Sequence, residues 1–493
     1  MATEIELKLT IDPAHVASLR RHPLLASLSQ GKPRRQRLHS VYFDTPELDL
    51  LRAGVALRLR RVGGRWVQTV KGGGSVAGGL HQRDEWEWPV QGGELDLTLI
   101  AETSLAAIMT DELQARLRPL FVTQFWRTAW QLRMAQGAEI ELALDQGEVQ
   151  AGEGRMPISE VELELKAGEA ASLFELALAL QERVPLRVED MSKAQRGYLL
   201  ASGATLPPRT AQRVALAPQM PVAQAFRDIA GECLAQLQGN VAGLGQDPEY
   251  LHQARVAVRR LRSALSLFGA ALPEAPADVM KELSWLMSRL GPARDWDVFV
   301  TQTLPPIVEQ FPDDRALARL QADATRLRDA CGQVAREAVA SQRHTRLVLT
   351  LGLWLAQQTE HGPVRLADFA AEMLARQHKR LRRKGKHHAT LSPTERHALR
   401  IAAKKLRYAA EFFAVLYPRK RARPYLAALA ALQDVLGALN DARVTQRLLA
   451  ELPASRAQAA GVVSGWMACA GRERLAGLDR SWRDFAAQKV FWK

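Results

Sequence analysis

Charged side chains alternate with apolar ones along most of the strand-like segments in the first 203 residues of the chain. In the first segment, "EIELKL", Glu4, Glu6 and Lys8 alternate with isoleucine and leucine. A period of two is typical of a β-strand with one polar and one apolar face. For one strand taken alone, a polar face exposed to solvent is a sufficient explanation.

The same alternation recurs in five later segments, where the charges are partly sorted by sign. Some segments present mainly arginine or lysine and others mainly carboxylates. An open sheet would expose these faces to water and would tolerate free mixing of acids and bases. If the sheet closes and its apolar face packs against helices, its lumen holds both sets. The inward residues would then include Arg58, Arg60, Lys71, Arg83, Glu85, Glu87, Glu139, Glu141, Asp145, Glu160, Glu162 and Glu164.

Such a lumen would have a definite chemistry. Carboxylates two apart on a strand are suited to Mg²⁺ or Mn²⁺, which prefer oxygen ligands. Clustered arginine and lysine are suited to phosphate oxygens, and one guanidinium can bind two of them. The pattern therefore predicts a site for a metal-bound polyphosphate.

The periodicity of the apolar residues changes after residue 203. The 493 residues are enough for two or more domains. Strand patterns and two predicted helices, near 13–28 and 167–183, fill the first part. Four prolines between 203 and 221 indicate a linker, and segments with helical spacing follow. We predict an α+β domain at 1–203, a linker at 204–221 and an all-α domain at 222–490.

Charge is distributed unevenly between these parts. Residues 1–205 contain 24 basic and 27 acidic side chains, whereas the remainder contains 43 basic and 26 acidic ones. This asymmetry predicts a polyanionic partner for the second part. The three cysteines are far apart and match no zinc or disulfide pattern, and we see no signal peptide or membrane span. We therefore expect a cytoplasmic protein.

The helical part contains an internal repeat. "HQARVAVRRLRSALSLF" begins at His252 and "HALRIAAKKLRYAAEFF" begins at His397, and each is followed by a related segment with an aspartate, Asp295 or Asp441. Positions i, i+3, i+7 and i+10 lie on one side of a helix. Each copy thus presents one stripe of basic residues, which are His252, Arg255, Arg259 and Arg262 in the first and His397, Arg400, Lys404 and Arg407 in the second.

Two explanations fit these stripes. Either each stripe is a solvated helix face, or the two stripes meet in a positive groove suited to a linear polyanion. A third basic run, from residue 376 to 386, adds Arg380 and Arg383. It has few aromatic residues, which disfavours recognition of single-stranded nucleic acid by base stacking.

The first domain contains a series of short motifs. They are "EIELK" (4–8), "YFDTP" (42–46), "LRLR" (57–60), "VKGGG" (70–74), "GLHQRDEWE" (79–87), "ELALDQGEV" (141–149), "SEVELELKAG" (159–168) and "MSKAQRGYLL" (191–200). These motifs resemble, in the same order, those of CYTH domains, the triphosphate tunnel metalloenzymes. They resemble most closely the bacterial inorganic triphosphatases, in which a CYTH domain precedes a CHAD domain. This resemblance implies an eight-stranded antiparallel tunnel that hydrolyses a terminal phosphate with Mg²⁺ or Mn²⁺.

The resemblance also implies roles for individual residues. Glu4, Glu6, Glu162 and Glu164 would bind the metal and activate water. Glu85 and Glu87 would be further acids that position metal or water, and Asp145 would orient a basic neighbour. The implied catalytic set is Glu4, Glu6, Lys8, Glu85 and Glu87. Ala129 departs from the family, which often has a basic residue at that place. The residues implied to bind triphosphate are Lys8, Arg58, Arg60, Lys71, Arg83, Arg127, Lys193 and Arg196.

The helical part resembles the CHAD domain, most strongly at "RHALRIAAKKLRYAAEFF". The resemblance implies two helical bundles related by a pseudo-twofold axis, and inorganic polyphosphate as ligand, including polyphosphate granules. The residues implied to bind it are His252, Arg255, Arg259, Arg260, Arg262, Arg380, Arg383, His397, Arg400, Lys404, Lys405 and Arg407.

The leading hypothesis is therefore a metal-dependent inorganic triphosphatase joined to a polyphosphate-binding module. We expect neither a specific nucleic acid nor a membrane as partner, and the sequence leaves the oligomeric state open. Two alternatives remain. The tunnel could act on thiamine triphosphate or another organic triphosphate, or cyclise ATP, and the protein could be a non-catalytic polyphosphate scaffold.

Overall fold

The computed structural model describes residues 2–103, 105–272, 275–358 and 364–493. The chain forms two compact units. The first contains Met1–Pro207 and Ala340–Gln357, and the second contains Pro208–Val339 and Gln358–Lys493. A short segment from the helical half of the sequence thus belongs to the first unit.

The first unit is built on an antiparallel sheet that closes on itself. The strand order is β5-β4-β3-β2-β6-β7-β8-β1, and β1 also pairs with β5, so eight strands form a closed barrel. The predicted tunnel is thereby confirmed. The strands are β1 (Ala2–Ile11), β2 (Arg34–Asp44), β3 (Val55–Val62), β4 (Arg65–Ala77), β5 (Leu80–Val90), β6 (Arg118–Arg133), β7 (Glu139–Ala151), β8 (Gly154–Ala167) and β9 (Leu186–Val188).

Strand β1 closes the barrel by pairing with β8 and β5. Its residues 6–10 pair with β8 on one edge, and residues 2–7 pair with β5 on the other. Beyond β5 the same edge continues with the short strand β9, which pairs with residues 9–11. Because β1 is hydrogen-bonded on both edges, its charged side chains are held at fixed positions on the inner face of the barrel.

The helices occupy both units. The helix predicted near 13–28 is instead a 3₁₀ turn followed by two short helices, because the first helix ends before Pro23 and the second begins at that residue. The helix predicted near 167–183 begins later because β8 continues to Ala167. The α-helices are α1 (Val16–Arg20), α2 (Pro23–Leu28), α3 (Asp49–Arg52), α4 (Asp111–Ala115), α5 (Ala171–Gln181), α6 (Lys193–Ser202), α7 (Val222–Val241), α8 (Pro248–Phe268), α9 (Val279–Val298), α10 (Pro305–Gln310), α11 (Arg315–Ala340), α12 (Gln342–Ala356), α13 (Leu366–Lys384), α14 (Pro393–Phe413), α15 (Arg419–Ala450), α16 (Ala457–Ala476) and α17 (Leu478–Ala486).

The apolar side chains of the barrel strands face outward, as the alternation predicts. Leu7 and Leu9 of β1 are fully buried in a core with the apolar residues of β7, β8 and α5. Helix α12 completes this core through Leu349. It is held at its start by Gln342, whose main-chain oxygen accepts a 2.8 Å hydrogen bond from Gln181 of α5.

The second unit is all-helical over its described residues. Helix α8 packs between α7 and α9, α14 packs between α13 and α15, and α8 also contacts α14. The two repeated segments thus form the central helices of two similar helix triplets. Among the described helices, none combines the length and apolar character that crossing a membrane requires.

The close packing of α12 against α5 generates a prediction. A Cβ atom at Gly352 would lie 2.2 Å from the ring of Phe174, which is only 2% exposed. We expect Gly352→Ala to destabilise the barrel unit by roughly 1–3 kcal/mol, because the overpacked core must shift. Urea unfolding monitored by circular dichroism measures this change.

The matched control is Gly461→Ala in α16, where a Cβ would meet nothing within 4 Å. That variant should be neutral or stabilised by up to about 1 kcal/mol, since alanine favours a helix over glycine. Equal effects of the two substitutions would contradict the packing of α12 in the first unit.

Candidate functional site

The predicted site residues of the first domain converge on the barrel lumen. Their strand positions alternate with the outward core residues, which places them on the inner face. Helix α6, which is not part of the sheet, supplies two further cations, Lys193 and Arg196. The set comprises Glu4, Glu6, Lys8, Arg58, Arg60, Lys71, Arg83, Glu85, Glu87, Arg127, Glu162, Glu164, Lys193 and Arg196.

Helix α6 directs Lys193 into the lumen. Ser192 caps the helix and Gln195 completes a capping box, so Lys193 stands at the first helical position. Its ammonium lies 2.6 Å from Asp145 and 2.9 Å from Glu162, and it also pairs with Glu160. Burial opposes its charge, but the three carboxylates prevail and raise the pKa of Lys193 above its usual value.

The glycine of the "SKAQRGY" motif permits this position of α6. A Cβ at Gly197 would lie 2.0 Å from the ring of Phe121 on β6. Any residue with a Cβ at this position would hold the helix farther from the barrel. The motif therefore contains both Gly197, which makes the close contact, and Lys193 and Arg196, the two cations that this contact positions.

Asp145, Glu160 and Glu162 form a buried acidic cluster. Each offers a carboxylate oxygen, and these oxygens lie within 4.8 Å of one another. Arg127 donates to both oxygens of Asp145, at 2.8 and 2.7 Å, and also to Glu162.

Further cations surround the same cluster. Arg196 lies 2.6 Å from Glu160, and Lys8 pairs with Glu162. Burial would raise the pKa of Glu162, but Lys193, Lys8 and Arg127 hold it well below its usual range. Glu162 is therefore ionised, and the protein's own cations surround the cluster.

A second group of carboxylates lies on β1, β7 and β8. Within it Glu6 pairs with Lys8 at 3.2 Å, Glu4 pairs with Lys71 at 2.5 Å, and Glu164 pairs with Lys166. The register places Glu164 of β8 directly opposite Glu6 of β1 on one side and Glu141 of β7 on the other. Like charges in directly opposed positions destabilise a sheet. Burial, with Glu4 and Glu141 as like-charged neighbours, raises the pKa of Glu164 despite the nearby Lys166.

The second group offers the type of donor that a divalent cation prefers, but among the described residues the three carboxylates whose oxygens lie within 4.8 Å of one another are Asp145, Glu160 and Glu162. The donors of the second group are carboxylate oxygens on adjacent strands, which are the ligands that Mg²⁺ and Mn²⁺ prefer. Burial is the main cause of the raised pKa of Glu164, and the like charges of Glu4 and Glu141, which a cation would offset, add to it. Of the predicted metal ligands, Glu4, Glu6 and Glu164 lie in this group, whereas Glu162 belongs to the buried acidic cluster.

Further cations line the lumen beside these carboxylates. Arg58 lies 3.5 Å from Glu85 and 3.6 Å from Glu87, and Lys71 lies 3.1 Å from Glu85 and 2.5 Å from Glu4. Glu85 and Glu87 thus accompany cations here.

Arg60 and Arg83 have no ion pair within the part of the chain that the structure describes. Burial and the neighbouring arginines lower the pKa of Arg60 to about 10. Glu87 opposes this lowering without forming an ion pair, so an incoming anion would find arginine charge that is not engaged in an ion pair among the described residues.

Some lumen residues were not predicted as site residues. Glu160 and Glu141 share the inner face with predicted residues, so the alternation contained the signal. Tyr42 belongs to the "YFDTP" motif, and its hydroxyl accepts a 3.5 Å hydrogen bond from Arg58. Ala129 lies opposite Ala143 of β7, so the position that often carries a basic residue is inward-facing but uncharged.

In the second unit the structure brings together part of the predicted basic set. Arg255 donates to Asp295 at 3.1 Å, and Arg447 binds the same carboxylate at 2.6 Å. Arg259 of α8 donates to the hydroxyl of Tyr408 on α14 at 3.2 Å. This bond links the two repeated helices directly.

Lys404 lies at the meeting point of the two stripes. Burial and the charges of Arg400, Arg259 and Arg255 lower the pKa of Lys404 to about 7, although Asp441 opposes this. These cations are half-buried rather than fully solvated. Residues from both stripes therefore form one positive cluster.

Other predicted cations have different surroundings. Arg260 is buried over the ring of Phe412, with its guanidinium carbon 5.2 Å from the ring centre, and Arg407 pairs with Glu411 at 2.7 Å. Arg380 and Arg383 are exposed on α13 and have no ion pair among the described residues. His252, Arg262, His397 and Lys405 are half-buried on α8 and α14.

Comparison with known proteins agrees with this architecture. Residues 2–198 match the family model of the CYTH domain, and residues 228–450 match that of the CHAD domain. The chain therefore contains a CYTH domain followed by a CHAD domain, which confirms the resemblance seen in the motifs.

Two relatives illustrate the match. An inorganic triphosphatase of Haemophilus influenzae is 35% identical over 204 residues, which is 41% of this chain and 56% of that protein. The chain thus matches little more than half of the relative's length. The crystal structure of a CHAD domain from the plant Ricinus communis has a TM-score of 0.54 at 39% identity, and the match covers 58% of this chain and 98% of that one.

The buried acidic cluster generates a prediction. We expect Lys193→Met to destabilise the protein at pH 7 by about 3–5 kcal/mol, because it leaves buried carboxylates without their shared cation. The control is Lys166→Met, since Lys166 is 42% exposed and an exposed pair should change stability by less than about 1 kcal/mol.

The pH dependence follows from the depressed pKa of Glu162. A depressed carboxyl pKa contributes stability above the unfolded value, near 4.5, and this contribution is lost as the pH falls below it. Urea unfolding should therefore show the wild type and Lys193→Met converging below about pH 4.5. A difference that is independent of pH would contradict the assigned charges.

Proposed function

We propose that the barrel hydrolyses inorganic triphosphate to diphosphate and phosphate, with Mg²⁺ or Mn²⁺ as cofactor. The observation that supports this most directly is that one lumen holds cations together with a row of carboxylates on adjacent strands. The cations suit a chain of phosphates, and the carboxylates suit the metal ion that accompanies it. The similarity to the triphosphatase of Haemophilus influenzae, 35% identity over 204 residues, adds support.

The metal would be held by Glu4, Glu6 and Glu164, with Glu141 beside them and Glu162 at the edge of the neighbouring cluster. When bound, Mg²⁺ or Mn²⁺ supplies Lewis acidity toward the phosphate oxygens and toward the attacking water. We keep Glu162 in the proposed set, although its present partners are cations.

The protein's own residues would act mainly by exchanging partners. Lys71 and Arg58 now contact Glu4, Glu85 and Glu87, and they would turn to phosphate oxygens when triphosphate enters. Arg60 and Arg83 already form no ion pair among the described residues. Phosphoryl transfer depends on such positioning and charge neutralisation, so no covalent nucleophile is needed.

The double variant Glu4→Gln/Glu6→Gln tests the proposed catalytic role. We expect phosphate release from triphosphate with Mg²⁺ to fall by at least about 100-fold, because the variant loses charge at the centre of the carboxylate row. A chelator should abolish the activity of the wild type. The control is Glu153→Gln, in the exposed turn between β7 and β8.

Unchanged turnover in the folded double variant would remove both residues from the catalytic role. Binding of triphosphate by the wild type without any hydrolysis would favour a non-catalytic scaffold instead.

We also propose that the helical domain binds inorganic polyphosphate along the two stripes. The supporting observation is the cluster of Arg255, Arg259, Arg400 and Lys404, where half-buried cations outnumber their acidic partners. A linear polyanion would supply the missing negative charge.

Lys404 makes this binding dependent on pH. Its pKa of about 7 in the free protein should rise when polyphosphate binds, so binding takes up a proton above pH 7. Affinity should then be constant below pH 7 and fall by up to about tenfold per pH unit above it. Isothermal titration calorimetry with long-chain polyphosphate from pH 7 to 9 measures this trend.

The substitution Lys404→Arg should remove the trend and keep the affinity, because arginine stays charged throughout this range. Lys405→Arg is the matched control and should behave like the wild type. A wild-type affinity independent of pH would contradict the proposed role of Lys404, and absence of binding at every pH would contradict polyphosphate binding itself.

A further inference from the structure

Tyr42 is a lumen residue to which the proposed mechanism gives no role. It lies directly opposite Arg58 in the pairing of β2 with β3, and Ser40 lies opposite Arg60 in the same ladder. Its side chain is 3% exposed, and its hydroxyl accepts a 3.5 Å hydrogen bond from Arg58. The hydroxyl therefore lies among the arginines proposed to bind triphosphate.

The ring of Tyr42 is held rigidly. It stacks on Phe121 with a centroid separation of 4.5 Å and an interplanar angle of 16°. Tyr198 of α6 meets Phe121 edge-on at 5.1 Å, and all three rings belong to one buried cluster. An aromatic ring fixed in this way presents its hydroxyl at a defined point.

The charges around this hydroxyl favour hydrogen-bond donation. Burial alone would raise the pKa of a phenol, but Arg58 and Arg60 of β3, with Lys193 of α6, lower the pKa of Tyr42 below its usual value. A more acidic hydroxyl is a stronger donor, and a phosphate oxygen is a charged acceptor. A simple core tyrosine would need no such cationic environment.

We propose that the Tyr42 hydroxyl donates a hydrogen bond to a phosphate oxygen of triphosphate held by Arg58 and Arg60. This inference rests on the proposed function of the barrel. The phenol keeps its proton, and no bond to it forms or breaks during hydrolysis. Tyr42 would thus be a substrate-binding residue that fixes the phosphate chain relative to the carboxylate row.

The test compares Tyr42→Phe with Tyr198→Phe, which removes a hydroxyl from the same aromatic cluster. We expect kcat/KM for triphosphate to fall about tenfold or more in Tyr42→Phe, as for loss of a hydrogen bond to a charged group. Tyr198→Phe should stay within about twofold of the wild type. Calorimetric binding of triphosphate in the presence of a chelator should weaken in parallel for Tyr42→Phe only.

The pH profile separates this role from a structural one. Wild-type activity should decline at alkaline pH as the phenol ionises and ceases to donate, and Tyr42→Phe should lose that component. Arg60, with a pKa of about 10, titrates in the same region and its contribution should persist in both proteins.

A measurement on the wild type alone makes the test independent of how the variant folds. Triphosphate should shift the first tyrosinate absorbance transition to higher pH, because it stabilises the donating form and neutralises the arginines. The inference would be overturned if Tyr42→Phe kept the kcat/KM of the wild type and if bound triphosphate left the tyrosinate transition of the wild type unshifted. If the wild type neither binds nor hydrolyses triphosphate, the proposed function of the barrel fails instead.

Discussion

The structure of the first unit depends on one shared cation, the ammonium of Lys193 between Asp145, Glu160 and Glu162. Neighbouring strands bring these carboxylates together inside a closed barrel, where an uncompensated charge would cost several kcal/mol. The strands alone do not balance that charge. Helix α6 does so with Lys193 and Arg196, and the close contact at Gly197 allows it to come near enough. Barrel closure and helix docking are therefore parts of one electrostatic arrangement.

This arrangement explains how charge is distributed in the lumen. Where α6 reaches in, every acid has a cation at short range, and Glu162 stays ionised. Away from α6, Glu164 lies opposite Glu6 and Glu141 and has a raised pKa, while Arg60 forms no ion pair among the described residues. Each imbalance suits one component of a metal-bound phosphate chain. A scaffold that only bound anions would gain nothing from the carboxylate row, which is why we favour catalysis over passive binding.

Much of this could be predicted from the sequence, because alternation determines which face of a strand a residue occupies. The inward position of Glu4, Glu6 and Lys8 followed from that rule, and so did the paired stripes of α8 and α14. Long-range partners did not follow, because register and closure depend on tertiary contacts. Thus the sequence did not indicate that Glu162 contacts Lys8, Arg127 and Lys193, and its role as a metal ligand stays a prediction. The inclusion of α12 in the barrel unit had no local signal either, since its apolar face is equally suited to a helical bundle.

The central claim is that the barrel lumen is an active site for inorganic triphosphate. The most direct test is a phosphate-release assay with Mg²⁺ or Mn²⁺ that compares inorganic triphosphate, ATP, thiamine triphosphate and long-chain polyphosphate. Our account predicts the highest kcat/KM for inorganic triphosphate and no release after chelation of the metal. Faster turnover of ATP or thiamine triphosphate would contradict the proposed substrate, and release of phosphate from none of the four would contradict the assignment of an active site.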